Sequence, residues 1–325
     1  MRQNHHPMAL FFTVMLGLGV AQQGIAHSGP PVPDPTNIEG ISTAFGWDFE
    51  GTEIVTEKVT DSLYVLFGVG GNIAVSVGED GVLIVDDQFP QMMDRINAAI
   101  GELGGGAVDF AINTHWHFDH ADGNLALGPA GTWLVSQANS REKMLTDQVI
   151  NLVGVAYAQE AYPHEALPVI TFEDAMQFHI NGEKVDLVHF GEAHTTGDTA
   201  VIFRGSNAVH LGDVYNNAGY PFIDAGNGGT LDGVIEFCKQ TLAQIDETTV
   251  VIPGHGPISD YQGLSDYIAM LTDIRDQMME MIEAGASLED VLGSDITAAY
   301  DETRGDPGLL LNRGYFSLTH KVVDR

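Results

Sequence analysis

Cysteine is almost missing from this chain: Cys238 is the only one in 325 residues. No intrachain disulfide can form, so a packed core has to hold the fold alone. Basic residues are scarce as well, 13 Lys plus Arg against 45 Asp plus Glu, for a formal net charge of −32. A surface this acidic repels phosphate backbones and anionic lipid, which argues against nucleic acid as a partner, and it suits a salty medium that screens self-repulsion. Long apolar runs are lacking too. The stretch from Met8 to Ala21 is shorter than the roughly 20 residues of a membrane span. With Arg2 before it and the small residues Gly24 and Ala26 after it, it has the layout of an export signal cut after Ala26, an uncleaved anchor being the alternative. The expected location is periplasmic or secreted, with no membrane span left after signal removal.

No repeat at solenoid periods and no low-complexity tract interrupts the remainder. The Pro-rich "SGPPVPDPTN" after the leader is the only linker-like stretch. The expected organisation is a signal peptide at 1–26, an N-terminal extension at 27–59 and one domain at 60–325. Residues 63–87, "LYVLFGVGGNIAVSVGEDGVLIVDD", give three β-rich runs split by glycine turns, a meander of hairpins. Then the period changes: "PQMMDRINAAIGEL" reads as a helix and "AVDFAINT" as a buried strand. Cys238 lies in "LDGVIEFCKQTLAQI", whose apolar residues recur at helical spacing, and is expected to fill the core. "SLEDVL", with Ser287 three before Asp290, has the form of a capping-box helix start.

What is abundant is histidine, in one place. "NTHWHFDHADGN", residues 113–124, holds His115, His117, Asp119 and His120 at the end of a predicted strand. A His-x-His pair can present two ring nitrogens to one ion from a single loop, and imidazole with carboxylate is the donor set zinc prefers when thiolate is absent. Asp119 and His120 diverge from that pair on a turn, so a second ion is their natural acceptor, giving a two-metal site. The same grammar recurs: "KVDLVHFGEAH" runs to His194, "NAVHLGD" to Asp213 and "TTVVIPGHG" to His255. In layered α/β proteins the loops beyond strand ends gather on one rim, so these residues can converge although far apart in sequence. His164, His179, His189, His210 and His320 lack metal-ligand partners at useful spacing in the sequence and are expected to have structural or exposed roles.

The "HWHFDH" stretch together with "GEAHTTGDT", "HLGD" and "PGHG" resembles the metallo-β-lactamase-fold superfamily, over about residues 60 to 260. The resemblance implies an α/β fold, an αββα sandwich of two mixed β-sheets flanked by helices with the metal site at one edge. It implies that His115, His117 and His194 hold one zinc ion, that Asp119, His120 and His255 hold a second, and that Asp213 bridges them. Asp86, ending the strand "GVLIVD", matches the aspartate that supports the histidine loop; as a strand-end turn residue it would occupy the same place. Asn227, in "DAGNGGT", aligns with a substrate-orienting asparagine, a glycine-rich turn being the alternative.

One departure bears on substrate. Where β-lactamases with a cysteine ligand carry a lysine that grips the drug's carboxylate, this chain has Asn216, and "VYNN" offers no cation. The full ligand set is similar to the glyoxalase II, lactonase and phosphodiesterase branches. The expectation is an exported dizinc hydrolase acting on a small molecule, opening β-lactam rings, with a lactonase or esterase as the alternative and a non-catalytic metal binder as a remote third. Two zinc ions bridged by Asp213 would lower the pKa of a shared water from about 15.7 to about 7, and Asp119 would orient the resulting hydroxide and later pass on a proton.

Overall fold

The structure is a computed structural model that describes residues 32–320. The expected signal peptide at 1–26 lies outside the described residues. Two sheets form the centre of the fold. The first runs, from edge to edge, Ile170–Phe172, Trp133–Gln137, Phe110–Asn113, Gly81–Val85, Ile73–Gly78, Leu63–Phe67 and Val55–Lys58. Its hairpin half is antiparallel, and the pairings from Gly81–Val85 through Phe110–Asn113 and Trp133–Gln137 to Ile170–Phe172 are parallel. The second runs Ala175–Ile180, Glu183–Val188, Ala200–Phe203, Ala208–His210, Val250–Ile252 and Ser259–Asp260.

Side-chain alternation assigns each face. Leu63, Val65, Ala74, Leu83, Val85 and Ile112 of the first sheet meet Val185, Leu187, Val201, Phe203, Ala208 and Ile252 of the second in one buried cluster between the sheets. Their sequence neighbours Val82, Ile84 and Ala111 point the other way, onto the helix Met93–Glu102. On the outer face of the second sheet, Ile202, Val209 and Val251 pack under the helices Leu231–Leu242, Tyr261–Glu283 and Gly308–Thr319. A strand covered on both faces reads as a continuous apolar run, and period two divides that run between two cores. The αββα order follows. Cys238 is fully buried in the outer cluster of the second sheet, where burial pushes its thiol pKa up. Ser287 caps the helix Leu288–Leu292 in a reciprocal capping box with Asp290.

A third, small sheet does not show in the sequence pattern. The strand Pro35–Thr36 pairs parallel with Ala156–Gln159, which pairs antiparallel with Gln148–Asn151. It ties the segment before the main sheets to a hairpin beside the histidine loop. Among the described residues no helix is long and apolar enough to cross a membrane.

Candidate metal centre

Four chain segments deliver the site, each leaving a sheet at the same rim. The strand Phe110–Asn113 leads into Thr114–His117, and the short helix Phe118–Ala121 then carries Asp119 and His120. Asp213 lies in the turn Gly212–Val214 just after Ala208–His210, and His255 follows Val250–Ile252. His194 sits in the loop after Glu183–Val188. Two glycines let these segments close up. A Cβ on Gly71 would stand 2.2 Å from the His120 ring, and one on Gly254 would stand 2.1 Å from Asp213 Oδ1, so neither position can carry a side chain without displacing a site residue.

The seven expected residues fall into three groups, each with its ligand atoms within 4.8 Å of one another: His115, His117 and His194; Asp119, His120 and His255; and Asp213 with His115 and His120. Asp213 thus shares one histidine with each of the other two groups. His117 Nδ1 is 2.9 Å from His194 Nε2, and His120 Nε2 is 3.2 Å from His255 Nε2. Asp213 Oδ1 lies 3.1 Å from His120 Nε2 and 3.4 Å from His255 Nε2, and Asp119 Oδ2 lies 3.1 Å from His255 Nε2.

The opposite ring nitrogens are already committed, which fixes the tautomers. His117 Nε2 donates to Asp224 Oδ2 at 3.0 Å, His120 Nδ1 to Asp86 Oδ2 at 2.8 Å, and His194 Nδ1 to the Phe222 carbonyl at 2.8 Å. Asp86 also takes the Thr114 hydroxyl at 2.8 Å, so that hydroxyl oxygen is left to accept from His115 Nδ1 at 3.0 Å. Acceptor lone pairs of His115 Nε2, His117 Nδ1 and His194 Nε2 therefore face the centre, and His115 Nε2 is buried with no partner among the described residues. Lone pairs converging without a donor repel, and a buried acceptor left unmade is costly, so this donor set fits a metal ion.

Electrostatics divide the site into two halves. Burial, reinforced by its histidine neighbours, holds the His115 pKa well below the ordinary histidine value, and burial together with His117 lowers that of His194. Burial opposes charge on His120 too, but the carboxylates of Asp213, Asp119 and Asp86 outweigh it and raise that pKa well above the usual value. His255 is raised for the same reason, against burial, by Asp213 and Asp119. Burial would raise Asp213, yet His255 and His120 hold its carboxyl well below the usual range. His115 and His194 therefore favour the neutral imidazole that a metal needs, while His120 and His255 are matched in charge to Asp119 and Asp213.

Asp86 has a φ of 64°, a left-handed conformation uncommon for a residue with a side chain. Its buried carboxylate takes the Thr114 N–H at 2.7 Å and the His120 ring, so the strain places an orienting group under the histidine loop. Asp224 was not singled out in the sequence, although it opens the same "DAGNGGT" stretch as Asn227. Asn227 itself is placed differently from the expected substrate contact. It is not among the residues lining the cavity at the centre; its amide donates to Asp224 Oδ2 at 2.8 Å and to the Val149 carbonyl at 3.1 Å, so it braces the partner of His117. Asn216 does line that cavity, with its side-chain oxygen accepting from the Ala218 N–H at 2.8 Å. His210 is scaffold, buried and bonded to the Asn72 carbonyl at 2.9 Å.

No protein-family model matches the chain, and no curated protein matches it in sequence. Solved structures do match. A metallo-β-lactamase from Pontibacter korlensis aligns with TM-score 0.56 at 16% identity, over 68% of this chain and 100% of that one. The DIM-1 metallo-β-lactamase aligns with TM-score 0.55 at 17% identity, over 68% and 97%. A double mutant of the sec-alkyl sulfatase PisA1 aligns with TM-score 0.60 at 12% identity, over 83% of this chain and 51% of the sulfatase. Two mixed sheets, helices on both outer faces and a histidine and aspartate cluster at one rim agree with those likenesses: the chain has the metallo-β-lactamase fold.

Proposed function

We propose that the protein is an exported metallohydrolase that holds two zinc ions and cleaves the carbonyl bond of a small cyclic amide or ester. One observation carries the reading: Asp213 shares a histidine with each of two three-residue ligand groups, and Asp119, Asp213, His117 and His255 line a cavity of about 340 Å³. His115, His117 and His194 would hold one ion, Asp119, His120 and His255 the other, and Asp213 would touch both. Bound there, the ions would supply Lewis-acid charge and would lower the pKa of a water between them to about 7.

The chain's own groups do the rest. Asp86, Asp224 and Phe222 hold the imidazoles with the correct nitrogens inward, so no reorganisation is needed when charge develops. The Asp119 carboxylate lines the cavity, where it can take the proton released by an attacking water and pass it to the departing nitrogen or oxygen. Opening of a β-lactam ring is supported by the fold likeness to β-lactamases over nearly their whole length. A lactone or ester as substrate is the second reading, favoured by a specific feature: the cavity has no lysine or arginine among the described residues lining it to grip a drug's carboxylate.

Elemental analysis and a small substrate panel test the reading together. About two zinc equivalents per chain are expected, with chelator-sensitive hydrolysis of a chromogenic cephalosporin or an acyl lactone. A reproducible single equivalent, iron as the main metal, or no metal-dependent turnover of amide or ester would overturn it.

A further inference from the structure

We propose that the site selects substrates whose group remote from the scissile bond is uncharged and apolar, and that Phe45 and Trp47 form the wall that recognises it. This rests on the hydrolase reading above and narrows it to a substrate class. The wall comes from the segment before the main sheets. The helix Ile38–Phe45 ends at Gly46 in the left-handed conformation, φ 69°, which turns Trp47 back to stack on Phe45 with ring centroids 5.3 Å apart. Trp47 then packs 6.0 Å from Phe118, the residue between His117 and Asp119. The wall is therefore seated directly on the metal-site loop.

The facing wall is Ile150 and Leu152 of the hairpin, and the two walls are joined, because Pro35–Thr36 pairs with Ala156 and Tyr157 of that hairpin. Phe45 remains 49% exposed at the rim, one face of its ring against Trp47. Polar capacity is low by contrast. The Tyr220 hydroxyl is spent on Asp301 at 2.8 Å, and Asn216, its side-chain oxygen accepting from the Ala218 N–H, offers a neutral amide and no charge. A ligand carboxylate entering here would find no cation among the described lining residues and would approach a chain of net charge −32. Burying an ion without a partner is costly, whereas burying methylenes between Trp47, Ile150 and Leu152 is favourable.

The zinc-loaded protein is given p-nitrophenyl esters from acetate to octanoate, the anionic hemisuccinate and hemiglutarate esters, and a cationic betaine ester. We expect kcat/KM to rise about fourfold per methylene until the cavity is full, and each charged ester to fall at least tenfold below its neutral isostere. Trp47→Ala and the milder Phe45→Ala should flatten that slope. Independently, metal-free protein should bind the uncharged fluorescent probe N-phenyl-1-naphthylamine saturably, and Trp47→Ala should weaken that binding. Turnover with no chain-length dependence, or a preference for either charged ester, overturns the assignment and leaves the hydrolase reading intact. If no ester is turned over, the hydrolase reading is the one in difficulty, and the probe decides: saturable binding sensitive to Trp47 supports the apolar wall, and absence of binding refutes it.

Discussion

At the scale of single residues, the metal-facing atoms depend on carboxylates that never face the cavity centre. Asp224 fixes His117 and Asp86 fixes His120, each through the ring nitrogen turned away from the centre. Losing such a partner typically costs tenfold to a hundredfold in metal affinity, roughly 1.4 to 2.7 kcal/mol. Asp224→Ala should therefore weaken zinc binding by about that factor in chelator competition, with Asp224→Asn recovering part of it because the amide oxygen still accepts from His117 Nε2. Equal affinity in all three proteins would show that Asp224 only fills space. The difference between what was and was not legible follows from separation. His115, His117, Asp119 and His120 announce themselves because one loop carries all four, whereas Asp224 reaches His117 from 107 residues away and no local pattern marks it. Asn227 came from alignment with a family motif, and its amide donates to Asp224, away from the residues that line the cavity.

At the scale of elements, apolar runs bounded by turns made the central strands readable, because Phe110–Asn113, Ala208–His210 and Val250–Ile252 bury both faces, whereas the edge strand Val55–Lys58 is exposed along its length and leaves no such run. The small sheet escaped for a physical reason. Pro35–Thr36 is two residues long and pairs only with a strand far along the chain, so neither propensity nor periodicity identifies it. The cavity walls formed by Phe45, Trp47, Ile150 and Leu152 escaped with it. The glycine turn between Leu63–Phe67 and Ile73–Gly78 has a second role beyond reversing the chain, since Gly71 lies against the His120 ring. Gly71→Ala should push that ring off Asp86 and Asp213, and we expect a lower Tm together with weakened zinc binding. Gly101→Ala, in the helix Met93–Glu102 where an added Cβ meets nothing, is the matched control and should keep both. Loss of zinc affinity in the control as large as in Gly71→Ala would remove the steric argument.

At the scale of the whole molecule, a net charge of −32 has to be held together without a disulfide. Stability comes from three apolar clusters, one between the sheets and one under each outer layer of helices. Salt weakens two electrostatic effects of opposite sign. Attractive pairs between Lys or Arg and acids, such as Lys58 with Asp61, Arg204 with Asp186 and Arg275 with Asp232 and Asp276, weaken as salt is added. Exposed pairs of this kind contribute a median of about 0 to 1 kcal/mol each, so the loss is small. Repulsion among 45 acidic residues against 13 basic ones also weakens, because the Debye length falls from about 30 Å at 0.01 M to about 3 Å at 1 M. The repulsive sum is the larger and it destabilises the compact state, so screening should stabilise the fold. With zinc kept saturating, Tm is expected to climb as NaCl rises from about 0.01 M to about 1 M, and relief of about 2 kcal/mol would appear as roughly 3 °C. A Tm that stays level or drops over that range would mean that the acidic surface is already neutralised in the folded protein, by bound cations or by pairing beyond these few contacts.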